Sequence, residues 1–251
     1  MSMRQILKRK VTLTHEEHWI PLSDLMTGLM MIFMLIAIVF MLHVQSEAKI
    51  TEEQAETAKK QADLIKSLAS IYDQMRIQLY EDLYLEFEND LPKWQAVLLR
   101  DLTIRFQEPE VLFKTGESVP KPRFLEILND FFLRYVRVLA SEKYRNSLEE
   151  IRIEGHTSSI WKDVSEDRAY IENMQLSQAR TRAVLEYVLG LSEVAPQKTW
   201  LRGLVTANGL SSSKLIFRAN KEDIQASQRV EFKVRTNADE RIATILKAIA
   251  P

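Results

Sequence analysis

Residues 19–42 read WIPLSDLMTGLMMIFMLIAIVFML, an apolar run with one aspartate near its start. From Ile20 to Leu42 the only ionisable side chain is Asp24. About 20 apolar residues in a helix cross the hydrocarbon core of a bilayer, so this run predicts a transmembrane helix over residues 20–42. Arg4, Lys8, Arg9 and Lys10 precede it and form a basic region like that of a signal peptide. The run is too long for a signal h-region, however, and no small-x-small cleavage site follows it. The reading is an uncleaved anchor, and the sequence has no second run of this kind.

The flanks set an expected orientation. Residues 1–19 are rich in Lys and Arg, whereas Glu47, Glu52, Glu53 and Glu56 follow the span. Positive charge stays on the cytoplasmic side, which puts residues 1–19 in the cytoplasm and the bulk of the chain outside the inner membrane, in a bacterium the periplasm. Trp19 stands at the entrance, a position that suits an indole at the headgroup layer.

A carboxylate at the centre of a transmembrane helix costs about 2.5–3.5 kcal/mol on insertion scales, and somewhat less near an end. Asp24 therefore has two readings. It can reach the cytoplasmic interface, although aspartate is too short to extend far along a helix. Alternatively it faces a protein interior or a water-lined path, where it takes up and releases a cation. Ser23 and Thr27 place hydroxyls beside it, and Gly28 removes bulk one turn on, where another helix can approach. One helix makes no ion path, so the second reading requires further transmembrane helices from a partner.

Beyond the span the reading is a helical linker over residues 43–98; residues 43–90 are polar and charged, with neither Gly nor Pro before Pro92. Leu64, Leu68, Ile71, Met75, Leu79, Leu83 and Phe87 recur at steps of three and four, a helical stripe. Two parallel copies in a coiled coil would bury it; folding back on the C-terminal domain is the alternative.

From residue 99 onward the pattern is mixed. LTIRF (102–106), LEEIRIEGH (148–156), TWLRGLVTANG (199–209) and RVEFKVRT (229–236) read as strands or contain them, with Ile151 and Ile153 on one face. RFLEILNDFFLRYVRVLA (123–140) is a helix with Phe124, Leu128, Phe131 and Tyr135 in one stripe. LSQARTRAVLEYVLG (176–190) is another, turning Leu176, Ala179, Ala183, Leu185 and Val188 to the core and capped by Gly190. Two helices on one face of a mixed sheet make an α+β sandwich.

Composition removes several classes. The net charge is −1 over 251 residues, which gives no basic surface for nucleic acid. There is no cysteine, hence no disulfide framework or thiolate metal site. His15, His18 and His43 have no ligand spacing, and His156 reads as a buried, hydrogen-bonded histidine at a strand end; no metal site is expected. No phosphate-cradling glycine loop or nucleophile elbow is present, so an enzyme is not expected, and no cofactor.

The stretch PLSDLMTGLMMIFMLIAI (21–38) resembles the transmembrane helix of MotB-type stator subunits, and SDLMTGLMMIFML is nearest to ZorB-type subunits of Zorya anti-phage defence. VLFKTGESV, IRIEGHTSS, NMQLSQARTRAVLEYVL and QRVEFKV follow in the order of an OmpA-like peptidoglycan-binding domain, over roughly residues 100–236. The resemblance implies that Asp24 binds the transported ion, H+ or alternatively Na+, with Ser23 and Thr27 auxiliary. It implies that Arg180 binds the carboxylate of the diaminopimelate in a peptidoglycan stem peptide, a role suited to a guanidinium fork. Thr157, Ser158, Asn173 and Arg229 are further site candidates on the same ground. Two departures stand out: Ser158 takes the place of the family's aspartate after GHT, and Thr181 that of an alanine. Asp163 or Asp167, in the insertion after Ser158, is a candidate replacement carboxylate.

The implied protein is a homodimeric stator subunit inside a ring of polytopic MotA/ZorA-like subunits, anchored to peptidoglycan. Anti-phage defence is the leading setting and flagellar motility the alternative. A passive peptidoglycan tether is a third reading, but it leaves Asp24 without a purpose; an ExbD- or TolR-like transducer shares the aspartate yet lacks these OmpA-like motifs.

Overall fold

In the computed structural model, residues 19–107 and 109–237 are described. The expected cytoplasmic tail, with its basic cluster, lies outside the described residues up to Trp19, as do His15 and His18. A single helix α1 (Trp19–Phe87) opens the described chain. The chain divides into two compact units, which part at Asp63 and Leu64.

In the first unit, every side chain from Leu22 to Lys60 is exposed. Over Leu22–Leu42 these exposed residues are apolar on all sides of the helix, apart from Ser23, Asp24, Thr27 and Gly28. A helix apolar all round needs an apolar solvent, and this one is long and apolar enough to cross a membrane.

The second unit is built on a five-stranded sheet. Its strands are β1 (Ala96–Leu98), β2 (Thr103–Phe106), β3 (Leu148–His156), β4 (Val205–Gly209) and β7 (Arg229–Thr236), in the order β1-β2-β7-β3-β4. Only β3 and β4 run parallel. A short hairpin, β5 (Phe217–Arg218) and β6 (Lys221–Glu222), stands apart. The helices are α2 (Pro109–Leu112), α3 (Pro122–Leu139), α4 (Glu166–Gly190), α5 (Lys198–Arg202) and α6 (Ile224–Ser227). Pro122 opens α3, where its missing N–H and fixed φ carry no penalty. Ser165 caps α4 by accepting from the Arg168 N–H.

Alternation along β3 divides the sheet. Ile151 and Ile153 are fully buried against the helices, while Glu150, Arg152, Glu154 and His156 alternate with them on the opposite face. The helical face is closed by rings: the Phe131 ring centre lies 5.0 Å from that of Phe232, 5.2 Å from Phe106 and 5.4 Å from Phe87. Phe124, Leu128, Phe131 and Tyr135 of α3 are all fully buried, as their spacing predicted. The result is the expected α+β arrangement, a mixed sheet with helices packed on one face.

Several expectations need correction. The stripe Leu64–Phe87 is not one seam: Leu79, Leu83 and Phe87 are fully buried in the domain core, while Leu64 and Ile71 are exposed. The core thus recruits residues well before 99. Leu102 lies outside a strand, with φ +66, and β2 begins at Thr103. Gly190 is the last residue of α4 rather than a left-handed cap; Leu191 takes the capping position in an extended conformation. The buried face of α4 is also rotated from the expected one. It comprises Ala169, Asn173, Ser177, Arg180, Thr181, Val184 and Val188, whereas Leu176, Ala179, Ala183 and Leu185 are only half-buried.

Two glycines explain that rotation. Gly155 and Gly209 face each other across β3 and β4. A Cβ on Gly155 would lie 2.6 Å from Thr181 Cγ2 and 2.9 Å from the Ser177 carbonyl oxygen. On Gly209 it would lie 2.3 Å from the Gln178 backbone nitrogen. Helix α4 therefore rests on bare backbone at the strand ends, with its polar residues turned inward.

Candidate functional site

On α1, Asp24 is exposed and accepts no hydrogen bond among the described residues. Thr27 Oγ1 donates to the Ser23 carbonyl at 2.8 Å, one turn back, rather than to Asp24. That bond uses the hydroxyl hydrogen and leaves the oxygen's lone pairs available. Gly28 has open space where a side chain would stand. A carboxylate, an accepting hydroxyl and a bulk-free position thus lie within about one turn of one helix.

In the second unit the close seat of α4 brings the remaining candidates together. Arg180, Thr157, Ser158 and Asn173 line one cleft of about 390 Å³, joined by Lys162 and Gln228. Arg180 is 7% exposed. Its Nε donates to the Glu117 carbonyl at 2.9 Å and its Nη2 to the Lys114 carbonyl at 3.2 Å. The guanidinium carbon sits 4.8 Å from the centre of the Phe113 ring. No carboxylate pairs with it among the described residues, and burial pushes its pKa down to about 10. Its Nη1 has no partner among the described residues, so an anion in the cleft would complete this buried cation.

The lining is otherwise neutral or basic. Thr157 donates its backbone N–H to the Ser211 carbonyl at 3.0 Å, but its buried Oγ1 has no hydrogen-bond partner among the described residues. Asn173 Nδ2 donates to the Ile160 carbonyl at 3.4 Å. Neither Asp163 nor Asp167 lines the cleft. Asp163 sits at φ +59 in the loop, and Asp167 lies in the first turn of α4, where a carboxylate suits the positive end of the helix. The carboxylate that does approach the GHTSS loop is Glu222 of β6. It accepts from the Ser159 backbone N–H at 3.0 Å and, in a very short contact, from Ser159 Oγ. Nothing in the spacing of the sequence pointed to Glu222.

Arg229 is placed differently from Arg180. Its Nε donates to Glu231 Oε1 at 2.6 Å and its Nη1 to the Ser227 carbonyl at 3.0 Å. Arg105 Nε reaches the same Glu231 oxygen at 2.7 Å. Arg229 is therefore neutralised within a network on the polar face of the sheet. His156 belongs to that network and is buried at the end of β3; among the described residues neither ring nitrogen makes a well-formed hydrogen bond. Its Nε2 stands 3.5 Å from Glu231 Oε2 and 3.7 Å from Glu154 Oε2.

Glu154, His156 and Glu231 together have the composition of a metal site. Their grouping arises from the β3–β7 register, which sets Glu154 opposite Glu231 and His156 opposite Arg229. No spacing within one strand reveals it. Arg105 and Arg229 already occupy Glu231, and Arg152 Nη1 lies 3.2 Å from Glu154 Oε1. With three guanidiniums on two carboxylates, the cluster is already charge-compensated, and it reads as an ion network. Burial works to raise the Glu231 pKa, but the contacts from His156 and Arg229 outweigh it and hold the carboxyl well below the usual range.

No protein-family model matches the chain. Among solved structures, a MotB-like protein from Desulfovibrio vulgaris is 26% identical over 70% of this chain and 98% of its own, with a TM-score of 0.42. The cell wall anchor of the type VI secretion system from Pseudomonas aeruginosa is 20% identical, over 61% of this chain and 96% of its own, with a TM-score of 0.43. The Zorya protein ZorB of Escherichia coli (strain ATCC 8739) is 42% identical over 234 residues, covering 92% of this chain and 93% of that protein. An identity of that level over more than nine-tenths of both chains means that the chain belongs to the ZorB family.

Proposed function

We propose that this protein is the MotB-like stator subunit of an ion-driven rotary motor in the inner membrane, serving Zorya anti-phage defence. The observation that carries the reading is Asp24: the single carboxylate in the exposed, nearly all-apolar stretch Leu22–Leu42 of α1, in a chain of the ZorB family. Two copies stand inside a ring of polytopic ZorA-like subunits, with residues 1–19 cytoplasmic and the domain periplasmic. Each Asp24 takes a proton from one side and releases it to the other, assisted by the Ser23 and Thr27 oxygens. Neutralising the carboxylate changes which ring surface the helix prefers, and that alternation drives rotation. A charge crossing the membrane supplies about 2.3 kcal/mol per 100 mV.

The second unit holds the dimer on the cell wall. Arg180, with Thr157, Ser158 and Asn173, receives a stem-peptide carboxylate; Arg229, bound to Glu231, positions the floor beside it. The exposed part of the stripe, Leu64 and Ile71, is covered by the second copy in a short coiled coil.

The test is phage plating efficiency on cells carrying the native gene neighbourhood, with Asp24 intact or as Asp24→Asn at matched protein levels. Loss of protection in the mutant is expected. Full protection by Asp24→Asn would contradict the reading.

A further inference from the structure

Resting on the peptidoglycan reading above, we infer that the Arg180 cleft selects a stem peptide whose diamino-acid side-chain amine is acylated, as in a cross-link, over the free-amine form. The charge inventory of the cleft carries this. Its ionisable lining residues are Arg180 and Lys162, and both are cationic. The other polar lining groups, Thr115, Thr157, Ser158, Asn173 and Gln228, are neutral.

The nearby carboxylates lie outside the lining and make other contacts. Glu222 accepts from Ser159. Glu117 Oε2 faces Lys114 Nζ at 3.8 Å, and Asp223 Oδ1 accepts the Ala226 N–H at 3.0 Å. A carboxylate entering the cleft gains the buried guanidinium. An ammonium on the same ligand meets two like charges and no carboxylate in the lining, a juxtaposition that costs affinity for the wrong partner.

Acylation changes this balance. It removes the positive charge and turns the amine into an amide N–H, which needs only a neutral acceptor. Asn173, whose amide nitrogen is already bound to the Ile160 carbonyl, offers its carbonyl oxygen in the lining. Ser158, in the same lining, offers a hydroxyl rather than a charge. The cleft is thus built for an anion with a neutral amide nearby. An anchor of this specificity grips wall that is already cross-linked rather than freshly inserted, uncross-linked strands.

Calorimetric titration of the full chain in nanodiscs tests this with three probes. They are a diaminopimelate stem peptide with its side-chain amine free, the same peptide acetylated on that amine, and a cross-linked dimer. The acetylated peptide and the dimer should each bind at least about fivefold more tightly than the free-amine peptide. Lys162 is exposed, so Lys162→Glu should leave the fold intact and narrow or reverse the preference. Equal or tighter binding of the free-amine peptide overturns the inference and leaves the peptidoglycan reading standing. A dimer that binds no better than the free-amine peptide overturns it as well. Failure of all three probes to bind sinks both together.

Discussion

Along Leu22–Leu42 a single carboxylate stands on a helix whose described side chains are exposed and nearly all apolar. Along Glu150–His156 of β3, four ionisable residues share one sheet face and are bound to one another and to β7. Both regions place charge where water is scarce, in the one by the bilayer the helix requires and in the other by burial. The strand face compensates every acid internally, through Arg105, Arg152 and Arg229. Asp24 has no compensating group among the described residues. Desolvating a carboxylate without a partner is unfavourable by several kcal/mol, which is why the proposed function gives it one. An ion and a surrounding ring of helices meet that requirement; a passive tether leaves it unmet. Arg180 is the intermediate case, a buried cation satisfied by carbonyls and open toward a cleft.

The largest effect is expected along α1 itself. Phe87 is fully buried, with its ring centre 5.7 Å from that of Trp94, whereas Ile71 is 58% exposed. Phe87→Ala should destabilise the second unit by about 3–5 kcal/mol, read by denaturant unfolding with tryptophan fluorescence. Ile71→Ala should change that transition by less than about 0.5 kcal/mol. It should instead weaken the proposed dimer, measured by sedimentation in detergent. Equal effects on unfolding would mean that the stripe is a single element after all.

Next comes the ion network. Glu231→Gln leaves Arg229 buried beside an uncharged amide, at a cost of about 3–5 kcal/mol. The sign with pH follows from the same contacts. Glu231 and Glu154 both have folded pKa values below their ordinary 4.5. Their stabilisation is therefore fully present above pH 4.5 and is lost as pH falls through the folded values. Acid unfolding should set in below that pH, and Glu231→Gln should flatten the dependence. A wild-type transition that did not change with pH below 4.5 would remove the network from the account.

A smaller effect is expected where α4 meets the sheet. Gly209→Ala must move the Gln178 backbone and should cost about 2–3 kcal/mol. Gly155→Ala meets Thr181 Cγ2 first, so Thr181→Ala should recover part of its loss. Thermal unfolding of the single and double variants measures both. No recovery would mean that the Ser177 carbonyl, and not the Thr181 methyl, sets the contact.

Much of this was legible in the residues alone. The α3 stripe, the alternation of Ile151 and Ile153, and the membrane span were plain because each is a one-dimensional period set by apolar burial. Hydropathy misplaces the buried face of helix α4 because that side is largely polar: Asn173, Ser177, Arg180 and Thr181 count as solvent-facing by hydropathy. They are buried because Gly155 and Gly209 let the helix sit on backbone, and that closeness leaves no periodic trace. The Glu154–His156–Glu231 grouping needed the β3–β7 register, and the Glu222–Ser159 tie needed the position of the β5–β6 hairpin. Both are pairings between distant segments, invisible to spacing. The stripe Leu64–Phe87 was continuous in sequence but is divided between exposed and buried environments, which periodicity cannot distinguish.

The central claim is that Asp24 carries the transported ion. Its most direct test is proton flux in vesicles holding the chain together with its polytopic partner, for Asp24 and for Asp24→Asn, with co-purification confirming that both assemble. The account predicts flux with Asp24 and none above the empty-vesicle leak with Asp24→Asn in an intact complex. Undiminished flux through the Asp24→Asn complex would contradict it.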